Sequence, residues 1–181
     1  MTIVEASIKD VLLIEPKVFK DDRGYFFESF RLNAFEKFGL ELNFVQDNIS
    51  KSKKGTVRGL HYQVGEFAQG KLCQVVYGRV LDVAVDIRFG SPTFGKYAAS
   101  ILSEENHEMI WVPPGFAHGF SVLSDEVIFS YKCTNYYSKA HERAILYNDL
   151  DLNIDWKVEH PIVSEKDLKA KFFKKIENDF V

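Results

Sequence analysis

The sequence has few cysteines and no excess of positive charge, and both absences narrow the class of protein. Only two cysteines occur among 181 residues, Cys73 and Cys133, each within an apolar, strand-like stretch. This usage predicts reduced core residues rather than a disulfide or a metal pair. The formal net charge is -3, whereas a surface for nucleic acid polymers usually has a strong basic excess. We therefore expect no nucleic-acid partner.

Long apolar runs and linkers are also missing. No stretch approaches the roughly 20 apolar residues that a membrane-spanning helix needs, and the first residues lack a signal-peptide pattern. With 46% hydrophobic residues, the chain can bury one full core. We expect one domain over residues 1–181, in the cytoplasm, with no membrane partner.

The sequence is rich in short β-prone runs separated by turn signals such as Lys54-Gly55, Gly90-Ser91-Pro92 and Pro113-Pro114-Gly115. Many short strands at this spacing favour a sandwich or barrel over a parallel α/β sheet. Helical patterns are limited to about Asn33–Phe38 and Glu165–Lys175. The fold class is therefore all-β with short peripheral helices. The predicted strands are Val11–Phe19, Tyr25–Phe30, Phe44–Ser50, Thr56–Gln63, Leu72–Val76, Val80–Ile87, Tyr97–Leu102, Met109–Val112, Gly119–Leu123 and Val127–Cys133.

The run Val80–Ile87 alternates between apolar residues and a face that carries Asp82, Ala84 and Asp86. An acidic face of this kind usually points to solvent. In a small barrel it could instead line a polar lumen. Periodicity leaves both interpretations open.

The segment from Arg58 to Lys71 contains one histidine, His61, between two cations. A neutral imidazole can accept a proton near pH 7, and a fixed lysine can stabilise the resulting anion. The alternative is a partly buried core histidine between surface cations. Strict alternation puts Arg58 and His61 on opposite faces, so they can share a cavity only if the strand bulges, and Gly59 is where a bulge would be tolerated.

Two of the five histidines, His61 and His118, lie in apolar, glycine-flanked settings; the others, His107, His141 and His160, are predicted to be exposed and without a role. A metal site is the alternative use of such a pair. Gln63 stands where a second ligand is expected, and glutamine binds zinc or iron poorly. Glu66 and His118 are weak candidates for the rest, so we expect no metal.

Two further residues have both a structural and a chemical interpretation. Tyr131 fits a core tyrosine, but a phenol opposite a base can also deliver a proton to a carbanion. Asp167 follows Ser164 by three residues and fits a capping box at a helix start. It could instead hold the imidazole of His61.

Together these segments resemble the dTDP-4-dehydrorhamnose 3,5-epimerases, a metal-free cupin family of nucleotide-sugar enzymes. The resemblance runs through nearly the whole chain, in order and at the family's spacing. The matching segments are Glu15-Pro16-Lys17-Val18-Phe19, Asp22-Arg23-Gly24-Tyr25-Phe26-Phe27-Glu28-Ser29, Phe44-Val45-Gln46-Asp47-Asn48, the Arg58–Lys71 run, Asp82–Arg88, Ser91–Gly95, Gly115–Phe120 and Thr134-Asn135-Tyr136-Tyr137.

The resemblance implies a cupin-type jelly-roll barrel, a homodimer, and epimerisation at C3 and C5 of a dTDP-linked 4-keto-6-deoxy sugar in dTDP-rhamnose biosynthesis. No cofactor is implied. By the family's pattern His61 is the base, Tyr131 the acid, Asp167 orients His61, and Lys71 stabilises the enolate. The implied substrate-binding residues are Arg23, Glu28, Gln46, Asp47, Asn48, Arg58, Lys71, His118, Glu142 and Lys166, with Tyr137 stacked on the thymine.

Three alternatives remain at this point. The nearest is an epimerase that inverts only one carbon. The others are a metal-dependent cupin and a non-catalytic sugar-nucleotide binder, although binding alone does not need the acid–base pair of His61 and Tyr131.

Overall fold

The computed structural model describes residues 1–40 and 42–180. In this part of the chain most regular structure is β-strand, with short helices at the periphery. The strands are β1 (Thr2–Glu5), β2 (Leu12–Glu15), β3 (Phe19–Asp21), β4 (Gly24–Phe26), β5 (Gln46–Lys53), β6 (Val57–Gln63), β7 (Lys71–Tyr77), β8 (Arg79–Asp86), β9 (Tyr97–Ser103), β10 (Met109–Val112), β11 (Phe116–Val122), β12 (Glu126–Cys133) and β13 (Glu142–Ala144). The helices are α1 (Leu32–Glu36) and α2 (Glu165–Leu168), and single 3₁₀ turns lie at Gly65–Phe67 and Phe173–Lys175.

Two antiparallel sheets form the body of the molecule. The order is β1-β2-β10-β7-β12-β5 in the six-stranded sheet and β13-β6-β11-β8-β9 in the five-stranded sheet, while β3 and β4 form a separate hairpin. This double-sheet, jelly-roll-like arrangement confirms the all-β prediction. Within the described residues, no helix is long and apolar enough to cross a membrane.

Apolar side chains fill three layers. The layer between the sheets includes Cys73, Phe120 and Phe129. A second layer lies on the outer face of the five-stranded sheet, where the C-terminal segment covers it with residues such as Trp156. The third lies under α1 and includes Phe35. The site described below therefore lies beside well-buried apolar layers.

Both cysteines are free and buried, as predicted. The carboxylates of β8 are also completely buried, so the solvent interpretation of that face was wrong for Asp82 and Asp86. Each has a partner that makes burial tolerable: His118 binds Asp82, and Arg88 contacts Asp86 at 2.8 Å.

Several predicted element boundaries were wrong for identifiable reasons. The predicted strand Val11–Phe19 is interrupted after Glu15, where Pro16 cannot donate to a ladder. The predicted C-terminal helix stops at Leu168, because the Lys171 carbonyl accepts a hydrogen bond from the Leu146 backbone N–H at 2.8 Å. β1 was not predicted at all; it forms by pairing with β2.

His107 was also placed wrongly, because it is buried rather than exposed. Its ring packs against the rings of Tyr25 and Phe27, with centroids 4.6 and 5.1 Å away. Neighbours far from it in sequence therefore decide its burial.

β6 contains the expected irregularity at Gly59. His61 lies opposite His118 and Arg58 lies opposite Phe120, so β6 uses one residue more than β11 over this stretch. Gly59 has φ +135°, and a Cβ there would lie 2.6 Å from the Cα of Gly119. Only glycine fits that backbone and that contact. The bulge turns Arg58 and His61 toward the same face of the sheet.

Candidate active site

The central feature of the site is a hydrogen-bonded pair, His61 on β6 and Asp167 in α2. The His61 Nε2–H donates to Asp167 Oδ1 at 2.6 Å. Asp167 also contributes its backbone N–H to the helix cap, donating to Ser164 Oγ at 3.1 Å. The two sequence interpretations of Asp167 are therefore compatible, since its backbone starts the helix while its carboxylate faces the imidazole.

The Asp167 carboxylate is held in its charged form. Burial opposes ionisation, but the hydrogen bond from His61, the His61 charge and the cap at Ser164 outweigh it, so the pKa of Asp167 lies below its ordinary value. A charged carboxylate at Nε2 fixes the tautomer of His61 with its proton on that nitrogen. Nδ1 is then the basic nitrogen.

A cavity of about 250 Å³ lies beside His61. Because β6 and β7 follow each other and β7 pairs with β12, three polar side chains converge here: His61, Lys71 and Tyr131. Lys71 Nζ also donates to the His61 carbonyl oxygen at 3.5 Å. The other lining residues are Gln46, Asn48, Tyr62, Gln63, Gln69, Cys133, Tyr137 and Glu142.

Tyr131 has an unusually weak tendency to ionise. Burial, together with the nearby thiols of Cys133 and Cys73, raises the pKa of Tyr131 to about 12, and the charge of Arg58 offsets this only in part. Its phenol therefore keeps its proton throughout the neutral range. A protonated phenol and a basic imidazole at one cavity are the components of proton transfer.

On its other side, His61 borders a depression of about 530 Å³ that is rich in cations. Arg58 and Lys166 line it together with His61 and Asp167. Lys51 and Lys53 also line it and add two further positive charges. The Arg58 Nε–H donates to Ser52 Oγ at 3.0 Å, which restrains the guanidinium. The cations lie where an anionic part of a ligand bound at His61 would be attracted.

Glu142 connects two parts of the cavity wall. One of its oxygens, Oε2, accepts from the Tyr137 hydroxyl at 2.9 Å and pairs with Lys166 Nζ at 2.5 Å. Burial opposes the charge of Glu142, yet Lys166 and Tyr137 together keep its pKa below the ordinary value. The Tyr137 ring is thereby linked to the helix that carries Asp167.

His118 lies deeper than His61 and does not line the cavity. Its Nε2 is 2.9 Å from both carboxylate oxygens of Asp82 and 3.9 Å from Cys73 Sγ. These three side chains could in principle ligate a metal ion. Burial, the charge of Asp82 and other neighbours raise the pKa of the Cys73 thiol well above its ordinary value, and His118 Nε2 already bonds to Asp82. A metal ion bound here would have to displace the proton of the Cys73 thiol and the proton that His118 Nε2 shares with Asp82.

Besides His118, three predicted binding residues lie away from both the cavity and the cationic depression. Arg23 is at the tip of the β3–β4 hairpin, where its side chain is 91% exposed and pairs with Asp21. Glu28 pairs with Arg31 at 3.5 Å, and Asp47 pairs with Lys132 at 2.9 Å on the rim. Sequence reasoning also missed lining residues, among them Gln69 and Cys133. Strand alternation could have found Cys133, which shares a face of β12 with Tyr131.

Comparison with known proteins identifies the family. The family model described as dTDP-4-dehydrorhamnose 3,5-epimerase matches residues 5–175. The dTDP-4-dehydrorhamnose 3,5-epimerase of Shigella flexneri is 55% identical over 174 residues, which cover 96% of each chain.

Solved structures agree with the sequence relatives. The dTDP-6-deoxy-D-glucose-3,5-epimerase of Legionella pneumophila, in complex with dTDP-4-keto-L-rhamnose, is 49% identical with a TM-score of 0.94, over 97% of this chain and 94% of that chain. A 3'-monoepimerase from Streptomyces bikiniensis, in complex with dTDP-quinovose, is 33% identical with a TM-score of 0.88, over 93% and 86%.

The barrel and its acid–base cavity, with these relatives, define an isomerase that acts on a sugar nucleotide. The chain belongs to the dTDP-4-dehydrorhamnose 3,5-epimerase family. The predicted family and enzyme class are therefore confirmed.

Proposed function

We propose that His61 and Tyr131 carry out epimerisation at C3 and C5 of dTDP-4-dehydro-6-deoxy-glucose, giving dTDP-4-dehydro-rhamnose for dTDP-rhamnose biosynthesis. The observation that carries this proposal is the His61–Asp167 contact of 2.6 Å at a cavity that Tyr131 and Lys71 also line. At and beside that cavity the four residues provide a base, its orienting carboxylate, an acid and a cation.

The chemistry follows from the ketone at C4, which acidifies the hydrogens on C3 and C5. His61 Nδ1 takes the proton, and the electron pair of the broken C–H bond moves to the C4 oxygen as an enolate. The Lys71 ammonium stabilises that oxygen. Tyr131 then gives its proton to the carbon from the opposite face, which inverts it. Proton exchange of the imidazolium and the phenolate with water restores the enzyme.

The raised pKa of Tyr131 suits it to the role of acid. A phenol with a pKa of about 12 is fully protonated when an enolate forms nearby. It donates to a carbanion that is more basic than itself, and it does not lose its proton to solvent at neutral pH. Tyr131 is therefore protonated at the start of each protonation step.

The surroundings of His61 suit the rest of the substrate. Arg58 and Lys166 line the cationic depression next to His61 and are the candidates for the diphosphate. On the other side Tyr137, Gln46 and Asn48 line the cavity. We assign the thymine to the exposed Tyr137 ring, because an aromatic ring offers a flat surface for stacking.

We also infer a homodimer in the cytoplasm. The β3–β4 hairpin presents Phe19, Tyr25 and Phe26 to solvent, with 52 to 67% of each residue exposed. Apolar surface of this extent is typical of an interface. A second chain covering the hairpin would also bring Arg23 near other groups, consistent with a binding role that it cannot have at its own cavity. The two free, buried cysteines suit a reducing compartment.

Incubation with the dTDP-4-keto-6-deoxy sugar in deuterated water tests the proposal. The wild-type chain should incorporate deuterium at both carbons, and His61→Ala should abolish incorporation at both. Unchanged incorporation in this variant would exclude His61 as the base. His160→Ala, at an exposed histidine that lines neither the cavity nor the cationic depression, is the matched control.

An epimerase that inverts one carbon is the second candidate, because the Streptomyces bikiniensis 3'-monoepimerase matches most of the chain. Proton NMR of the product distinguishes the two. Inversion at both carbons changes the ring couplings at C3 and C5, whereas a monoepimerase changes only one of them.

A further inference from the structure

Tyr137 lies in the loop between β12 and β13, which has no regular secondary structure. This 134–141 loop carries Tyr136 and Tyr137, which are 61 and 52% exposed. A solvent-exposed loop of this kind would normally sample many conformations, and ordering it on binding costs free energy. Something in the fold must hold it if Tyr137 is to offer a fixed ring.

Gln63 makes the contacts that hold it. Gln63 lies at the end of β6, and the residue is only 4% exposed. Nε2 donates to the Tyr136 carbonyl at 3.0 Å, and Oε1 accepts from the Ser138 backbone N–H at 2.6 Å. The two bonds lie on either side of Tyr137. They fix the backbone of the residue before it and of the residue after it.

The same amide also attaches the loop to a second segment. Nε2 donates to the Phe67 carbonyl at 2.8 Å, so the 3₁₀ turn at Gly65–Phe67 and the 134–141 loop share one buried donor group. Both donor hydrogens of the amide are thereby used. Gln46 and Gln69 support the arrangement: Oε1 of Gln46 accepts from the Tyr137 N–H at 2.9 Å, and Gln69 donates to the Asn135 carbonyl at 2.7 Å.

We propose that Gln63 is a positioning residue for the nucleotide end of the substrate, which it serves by fixing the Tyr137 ring before binding. The proposal rests on the proposed function, in which Tyr137 stacks on the thymine. It gives Gln63 a positive role at the position where a metal-binding cupin would need a ligand. An amide is required, because two carbonyls and one N–H face it and only an amide both donates twice and accepts.

Gln63→Glu tests this with little change of volume. A carboxylate would face the carbonyls of Phe67 and Tyr136 without protons to donate, so the loop should be released. We expect KM for the keto sugar and Kd for dTDP to rise about tenfold, as the loss of preorganisation on this scale implies. At saturation, kcat and deuterium incorporation should change less than about threefold.

A double-mutant cycle separates positioning from general damage. If Gln63 acts through the Tyr137 ring, Gln63→Glu should add little to the KM increase of Tyr137→Ala. Full additivity would overturn the proposal, as would a loss of kcat at unchanged KM. Gln74→Glu is the control, because it makes the same chemical change on β7. Strand alternation puts Gln74 on the face of β7 opposite to the face with the cavity-lining Lys71.

Two further measurements keep the outcome decisive. If Gln63→Glu does not fold, Gln63→Met, which keeps the length without polar atoms, should show the same rise in KM and Kd. If the wild-type chain neither binds dTDP nor turns over the keto sugar, the proposed function fails. If it does both and the Gln63 variants behave like Gln74→Glu, only the role of Gln63 fails.

Discussion

Two histidine–aspartate pairs lie side by side in this barrel, and they differ in what each can reach. His61 and His118 face each other on paired strands, β6 and β11. The His61 ring is 30% exposed and takes its carboxylate from α2, whereas His118 and Asp82 are 7 and 0% exposed and both come from the five-stranded sheet.

This difference indicates that a histidine–aspartate pair is not by itself sufficient for a general base. The His118 side chain is 7% exposed and does not line the cavity. His61 has the same chemistry at the wall of a cavity, next to Tyr131 and Lys71. If His61 is the base, as proposed, its access to the cavity and its neighbouring groups distinguish it from His118.

The largest expected effect comes from exchanging the two imidazoles for amides. His61→Asn should lower deuterium incorporation at C3 and C5 by about 10²–10⁴-fold, because it removes a general base. It also leaves the buried Asp167 carboxylate without its imidazole partner, so the free energy of unfolding should fall by about 1–3 kcal/mol. Exchange kinetics by NMR and urea unfolding measure the two quantities.

His118→Asn should have a similar cost in stability but a smaller effect on exchange. It leaves the buried Asp82 carboxylate without its partner, which costs about 1–3 kcal/mol of stability or more. Its effect on exchange per folded molecule should be smaller than that of His61→Asn. The comparison fails if His118→Asn stops exchange as completely while remaining as stable as wild type.

The next effect concerns Tyr131. Tyr131→Phe should reduce inversion by about 10²–10⁴-fold while deuterium exchange with retained configuration continues, because only the acid is removed. Product stereochemistry and deuterium content, read from one NMR spectrum, test this. Equal loss of exchange and inversion would contradict the assignment of Tyr131 as the acid.

Alkaline titration examines the same residue. The pKa of Tyr131 is raised to about 12 from an ordinary 10.0, so neutral Tyr131 contributes stability that is complete below pH 10 and is lost as pH rises toward 12. The difference in phenolate absorbance between wild type and Tyr131→Phe should therefore be negligible at pH 10. A Tyr131 signal at that pH would be incompatible with the raised pKa.

The smallest effect on exchange is expected from Asp167→Asn, which also has a predicted pH dependence. Asp167→Asn should lower the exchange rate by about 10²-fold, through misplacement of the imidazole. Because the Asp167 pKa is below its ordinary 3.8, the wild-type advantage in stability should be complete above about pH 5 and shrink as pH falls through 3.8 and below. Urea unfolding of both proteins across this range measures it. A difference that grows on acidification would have the wrong sign.

Sequence patterns predicted the strands where local chemistry decides them. Alternation and turn residues located β8, β10 and β12 within a few residues, and Gly59 marked the bulge. The pattern failed where partners distant in sequence decide the structure. Lys171 ends the expected helix because it pairs with Ile145, and His107 is buried by rings from the hairpin.

Only part of the candidate site could be predicted from the sequence. His61 and Asp167 are 106 residues apart, and no periodicity connects them; the family resemblance supplied that pairing. Position alone could not show that His118 lies beneath the cavity, because both histidines have the same apolar, glycine-flanked setting. The single-domain organisation and the roles of all the site residues, among them Arg23, Glu28, Asp47 and His118, stay predictions.

The extra residue at Gly59 has a consequence for how such sites are searched for. In a regular strand, side chains that share a face are separated by an even number of positions. Arg58 and His61 share a face at a separation of three because β6 gains one residue against β11. A template that assumes even spacing would reject this chain. Deleting Gly59 would place Arg58 and His61 two positions apart in the sequence. Such a deletion would therefore change the spacing of the two side chains along β6 while an even separation keeps them on one face.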